Sequence, residues 1–309
     1  LRGDYPTERT SFSTSSGHYV LTADVVMTST LNLAGGQDYT ICLNGHTITA
    51  PAAGRMVRLS NGSKLTICDC TGEGKIIPGA SKGGVVGIFK DKAEDATPEL
   101  YISGVTIDGT GITSGNGGAI DNEFSCPVVI DNVKFQNLTS TGIGGAIWMG
   151  NGDLTITNSS FENCHAGAAG NGGAVYMSAV GKTVILDNVT ANNCSAGGYG
   201  SAFALRGGDQ HNGEAYLTDV TITNCDSKGA SNNAALYMYG FGKGENAAEL
   251  YNVKLDNNIA SNASATNGSR IYFTCIKAIC TDLVATNGNF TASTGTFTGK
   301  LSHSGTSGN

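Results

Sequence analysis

Arg206, Asp209 and His211 fall within the single stretch Arg206-Gly207-Gly208-Asp209-Gln210-His211, the one place in this chain where a guanidinium, a carboxyl and an imidazole come together. Such a trio is the equipment of general acid/base chemistry, which needs one group to take a proton and another to return it. Glycosidic bond hydrolysis would ask for two carboxyls close together, one of them held protonated by its surroundings. Asp121 is the other acidic residue that the sequence pattern places on the same side of the molecule. Asp91, Glu94 and Asp95 offer oxygens to a Ca2+ ion, although without the spaced ligands of a recognised calcium loop. Polar loops of this kind more often do no more than meet solvent. The chain therefore reads as non-catalytic and without a cofactor, Ca2+ being the one ion its loops could bind.

A second set of residues suits binding rather than turnover. If Ile147, Val175, Leu236 and Ile271 point inward from strands, alternation sends Trp148, Tyr176, Tyr237 and Tyr272 outward, one above another. A row of Ala (Ala146, Ala174, Ala202, Ala235) beside them would complete a shallow groove. Aromatic faces stack on sugar rings and also serve as rigid anchors for a protein partner.

What must position these residues is a repeat running along nearly the whole chain. Its clearest copies are Val128-x-Ile130-x-Asn132-Val133-x-Phe135-x-Asn137, Leu154-x-Ile156-x-Asn158-Ser159-x-Phe161-x-Asn163 and Val184-x-Leu186-x-Asn188-Val189-x-Ala191-x-Asn193. The first turn position reads Gly45, Asp69, Gly104, Asn132, Asn158, Asn188, Asp219, Asn252 and Asp282, at intervals of 24 to 35 residues. Five residues on stand Ala50, Gly74, Gly109, Asn137, Asn163, Asn193, Asn224, Asn257 and Asn287. Gly, Asn and Asp enter the left-handed backbone region most readily, so both positions predict turns, with Ala50 as the one departure. Three short period-2 segments per unit, rich in β-branched residues, describe one rung of a three-faced parallel β-helix. About nine rungs, at roughly 4.8 Å each, would make a rod roughly 40 Å long.

The expected architecture is all-β: a single-domain right-handed parallel β-helix with an N-terminal cap over residues 1–38, the helix proper over 39–290, and a partial rung or linker over 291–309. A solenoid grows without splitting into domains, and its open ends need covering. The 45 glycines and the few charged residues suit tight turns and stacked small side chains.

A net charge of −7 with scattered basic residues argues against nucleic acid. No run of 18 apolar residues predicts a membrane span. The surface expected of this architecture, rich in Ser, Thr, Asn and Gly, points to a secreted or wall-attached protein, and the Gly/Ser/Thr-rich end to a longer multi-domain chain. Nine cysteines are an odd number. Cys164, Cys194 and Cys225 each follow a second-turn Asn and should stack, either as small buried hydrophobes or as a rung-to-rung disulfide. Cys42, Cys68 and Cys70 form a second group in which a bridge to Cys42 would staple the cap.

Gly117-Gly118-Ala119-Ile120, Gly144-Gly145-Ala146-Ile147 and Gly172-Gly173-Ala174-Val175, with Phe135-Gln136-Asn137 and Phe161-Glu162-Asn163, resemble the right-handed β-helices of the pectin-lyase-like superfamily. Within it the chain is similar to gut-bacterial adhesin-like surface proteins and, more distantly, to polymorphic outer-membrane adhesins. The adhesins carry Phe-x-x-Asn where this chain has Phe-x-Asn. The resemblance implies adhesion or ligand binding toward a glycan or a host or bacterial surface protein. The alternatives it leaves are a polysaccharide lyase or glycoside hydrolase on the same face, and a structural stalk.

Overall fold

The structure is a computed structural model. It describes residues 12–304 apart from 14, 91–94, 179, 210–211, 230–233, 242–247, 262–270, 276, 287–289 and 293–295, with backbone alone at 272–275, 277–278, 286, 290–292 and 296–304. Every regular element among the described residues is a strand. No helix among them is long and apolar enough to cross a membrane.

The strands stack into a parallel β-solenoid. One ten-stranded sheet takes a single short strand from each turn, among them Ile120–Asn122, Ile147–Met149, Val175–Ser178, Phe203–Arg206 and Leu236–Phe241. A seventeen-stranded sheet forms the other two sides, where Leu154–Glu162 runs in parallel beside Thr183–Asn192 and that strand beside Glu214–Thr223. Gly17–Val20, Val25–Val26 and Leu31–Leu33 join the same ladders, so the segment expected to close the N-terminal end carries three strands of a turn itself.

Alternation explains the core. Leu154, Ile156, Ser159 and Phe161 are buried while the residues between them are not. Asn158, at φ 50, bends the strand there and restarts the alternation. Phe135 and Phe161 stack with ring centroids 4.8 Å apart, and Phe203 from the opposite wall meets Phe161 edge-on at 5.8 Å. Ser159, polar among Val, is satisfied: its hydroxyl donates to the Thr157 carbonyl at 2.6 Å and accepts from the Val133 amide at 3.0 Å.

The left-handed turns lie at Asn132, Asn137, Asn158, Asn163, Asn188, Asn193, Asn224, Asn252 and Asn257, each with φ between 50 and 57. Their amides also chain from turn to turn: Asn193 donates to Asn163 at 2.6 Å and Asn163 to Asn137 at 3.0 Å. Asn therefore serves twice, tolerating the backbone and pairing with its neighbour, which Gly cannot do. Cys164, Cys194 and Cys225 are buried free thiols stacked behind these turns, and Cys225 Sγ accepts from the Cys194 amide at 3.4 Å.

Asp69 departs from the pattern, being absent from the left-handed residues. Its carboxylate instead gathers the amides of Gly45 at 2.7 Å, Thr71 at 3.0 Å, Gly72 at 2.6 Å, Glu73 at 3.1 Å and Gly74 at 3.1 Å. These bonds outweigh the opposing effect of burial and hold the carboxyl down at about 2. The stability they contribute is present above the ordinary carboxyl range near 3.8 and disappears as pH falls through about 2. Asp69→Ala is accordingly expected to cost about 2 kcal/mol at pH 7 and little near pH 2, by urea titration at each pH. An equal cost at both would show that the amides are not held by the charge.

Candidate functional site

The outward row of the ten-stranded sheet runs in register through Arg58, Gly87, Asp121, Trp148, Tyr176, Ala204 and Tyr237, and the backbone of Tyr272 continues the register. The expected stacking order is there, but the open strip is not. Tyr176 is 7% exposed and Tyr237 5%, and with Ala204 and Ala234 they form a small apolar cluster outside the main core. Tyr199, on the turn before Phe203–Arg206, lies stacked on Tyr237 at 4.8 Å, and Ile143, Trp148 and Tyr239 pack around the cluster. Aromatic rings on a flat sheet bury enough apolar area against a passing loop to hold it down. The Ala row is also displaced: Ala146, Ala174, Ala202 and Ala235 belong to the main core and floor no groove. The Tyr272 side chain lies outside the described residues.

The acid/base set does not assemble either. Arg206 lies 3.9 Å from Asp209, donates from Nη1 toward Tyr176 Oη at 3.5 Å, and sits 5.3 Å from the ring centre of Tyr239. It thus braces the aromatic cluster. His211 lies outside the described residues. Asp121 sits three strands from Arg206's own strand, about 14 Å along the axis at roughly 4.8 Å per strand. Of the Ca2+ candidates, Asp91 and Glu94 lie outside the described residues, leaving Asp95. Among the described residues no group of three or more His, Cys, Asp or Glu could hold a metal ion.

Asp121 has a setting of its own. It is 0% exposed, and neither carboxyl oxygen has a hydrogen-bond partner among the described residues. Burial, reinforced by Glu123 and opposed by Lys82 and Arg55, pushes its carboxyl up to about 7. Arg55 reaches this row because residue 87 is Gly: a Cβ there would overlap Nη1 of Arg55. The guanidinium carbon lies 4.5 Å from the ring centre of Phe89, and Nη2 donates to Ser81 at 3.0 Å. Lys82 pairs with Glu123 at 3.2 Å above it.

An exposed face does exist, on the larger sheet. Its outward row runs Thr40, Thr66, Tyr101, Val129, Thr155, Ile185 and Tyr216 in register. Tyr101 is 38% exposed, and Val129 beside it is exposed as well. Asp38, Lys64, Thr66, Glu99, Tyr101 and Val129 line a shallow groove, and Lys64 pairs with Glu99 at 3.0 Å. Sequence reasoning passed over this row because its members occupy the variable positions between the inward residues. The signal that could have found it is the unusual run of Tyr, Val, Thr and Ile at sites where solvent normally selects charge.

Comparison with protein-family models, with curated proteins and with solved structures gave no match to this chain.

Proposed function

We propose that this chain is a non-catalytic binding scaffold of the adhesin kind, secreted or wall-attached, that takes an extended glycan along the outward row of its larger sheet. The observation that carries this reading is the exposed ring of Tyr101 beside the Lys64–Glu99 pair, in a groove open across several turns. A sugar presents an apolar C–H face and a rim of hydroxyls. The Tyr101 ring suits the first, while the ammonium and carboxylate, both about half exposed, have hydrogen-bonding capacity left for the second.

Tyr101→Ala is expected to weaken glycan binding about tenfold, which is ~1.4 kcal/mol. Tyr176→Phe, a change inside the covered cluster, should leave affinity unchanged. A glycan array followed by calorimetric titration of the best ligand measures both. Equal affinity for wild type and Tyr101→Ala would remove this face from consideration.

One observation favours an enzyme instead. Asp121 has the protonation range of a general acid near neutral pH, with Arg55 and Lys82 close by. Both of its oxygens are buried, however, out of reach of a polysaccharide. Bond cleavage in the same incubations, lost in Asp121→Asn, would establish the enzyme reading over the binding one.

A further inference from the structure

We propose that Cys42 and Cys70 are an oxidisable pair, joined by a disulfide across two adjacent turns when the chain meets a low-molecular-weight disulfide such as oxidised glutathione. The site is independent of the binding face. Cys42 ends the strand Asp38–Cys42, and its register partner Cys68 ends Lys64–Cys68. Cys70 lies just past Asp69, whose carboxylate ties the turn that follows to Gly45 on the previous turn. That folding back brings Cys70 Sγ to 3.6 Å from Cys42 Sγ, with Cys70 exposed and Cys42 half-buried.

The other described cysteines have a different character. Cys126, Cys164, Cys194, Cys225 and Cys280 are all buried, so the N-terminal trio holds the only solvent-reachable thiols among the described side chains. Within the trio the partner of Cys42 is set by exposure. Cys42 and Cys68 face each other across the parallel ladder with their side chains in contact, so both other thiols of the trio reach Cys42. Cys70, on a turn and exposed, is the thiol that a small disulfide reaches first, and its sulfur already lies against that of Cys42. Cys68 remains as a third thiol beside Cys42, placed to exchange into the bond.

The chemistry balances as two exchanges. The Cys70 thiolate attacks one sulfur of the small disulfide, forming a mixed disulfide and releasing one thiol. Cys42 then loses its proton and attacks the Cys70 sulfur, forming the Cys42–Cys70 bond and releasing the second thiol. Two cysteine thiols are oxidised and one small disulfide is reduced to two thiols. Contact with Cys42 and burial raise the Cys70 thiol above its ordinary range, so the reaction accelerates as pH rises.

The test is incubation of the folded chain with oxidised glutathione at pH 8, followed by intact mass and non-reducing peptide mapping. Wild type and Cys68→Ser are expected to lose two hydrogens and to yield a peptide pair joined through Cys42 and Cys70, while Cys42→Ser and Cys70→Ser are not. The bond should raise the melting temperature by about 5 °C, reversed by dithiothreitol. A Cys42–Cys68 link, glutathione adducts that never resolve, or unchanged thiols would each overturn the proposal.

Discussion

Gly145→Ala is expected to cost more than ~4 kcal/mol and to leave little folded protein at 37 °C, as read by circular dichroism melting and urea titration. A Cβ at Gly145 would overlap the Gly173 carbonyl oxygen of the next turn and stand 2.7 Å and 2.8 Å from the nitrogen and carbonyl carbon of His165. All three are backbone atoms, so no rotamer change relieves the collision. The neighbouring turns repeat it: a Cβ at Gly118 would overlap the Gly145 carbonyl oxygen, and one at Gly173 that of Ser201. Relaxation at one turn therefore pushes into the next, and the ladder has nowhere to absorb it. Gly111→Ala is the control. Its φ of 77 is left-handed but nothing lies within 4 Å, so only the backbone preference of about 1–2 kcal/mol is lost. If Gly145→Ala melted like Gly111→Ala, close stacking would not be what the glycine pairs provide.

Those glycine pairs show where the sequence was legible and where it stopped. The repeat, the strand directions, the asparagine turns and the register that sets Trp148 beside Tyr176 follow from period-2 alternation and residue type, because backbone stereochemistry leaves few alternatives. Gly-Gly-Ala-Ile read equally well as strand, with Ala outward. In the structure the strands begin at Ile120, Ile147 and Val175, and the first Gly of each pair turns at φ 56, 63 and 66. Ala119 and Ile120 both point inward because both amides donate to the single Ala146 carbonyl, at 2.8 Å and 3.1 Å, which breaks the alternation. No periodicity reveals a shared acceptor. The covering of Tyr237 by Tyr199 was equally illegible, since it depends on a loop's path rather than on the row itself. Asp69 stood in the sequence as one more turn residue, and only its coordinates show a carboxylate replacing the left-handed backbone.

Asp121→Asn should stabilise the chain, and only in one pH window. The wild-type carboxyl is held at about 7 against an ordinary value of 3.8, by burial first and Glu123 second. Below about pH 4 it is protonated whether the chain is folded or unfolded, and contributes nothing to the difference. Between those values the unfolded chain releases the proton and the folded one keeps it, so stability falls as pH rises and reaches its full loss above about 7. The loss is on the order of 4 kcal/mol for a rigid site and about 2 kcal/mol once Arg55 and Lys82 shift toward the charge. The acidic residues held low, Asp69, Asp108 and Asp131, have the opposite dependence, but their window lies below pH 4 and does not overlap. Asparagine keeps the size of the side chain and cannot ionise. Calorimetry should therefore find equal melting at pH 4 and a variant melting about 5 °C higher at pH 8. A variant destabilised equally at both would mean that Asp121 is charged and paired with Arg55. A carboxylate paired there would contribute to stability at neutral pH, and no neutral acid would remain on that face for the enzyme reading.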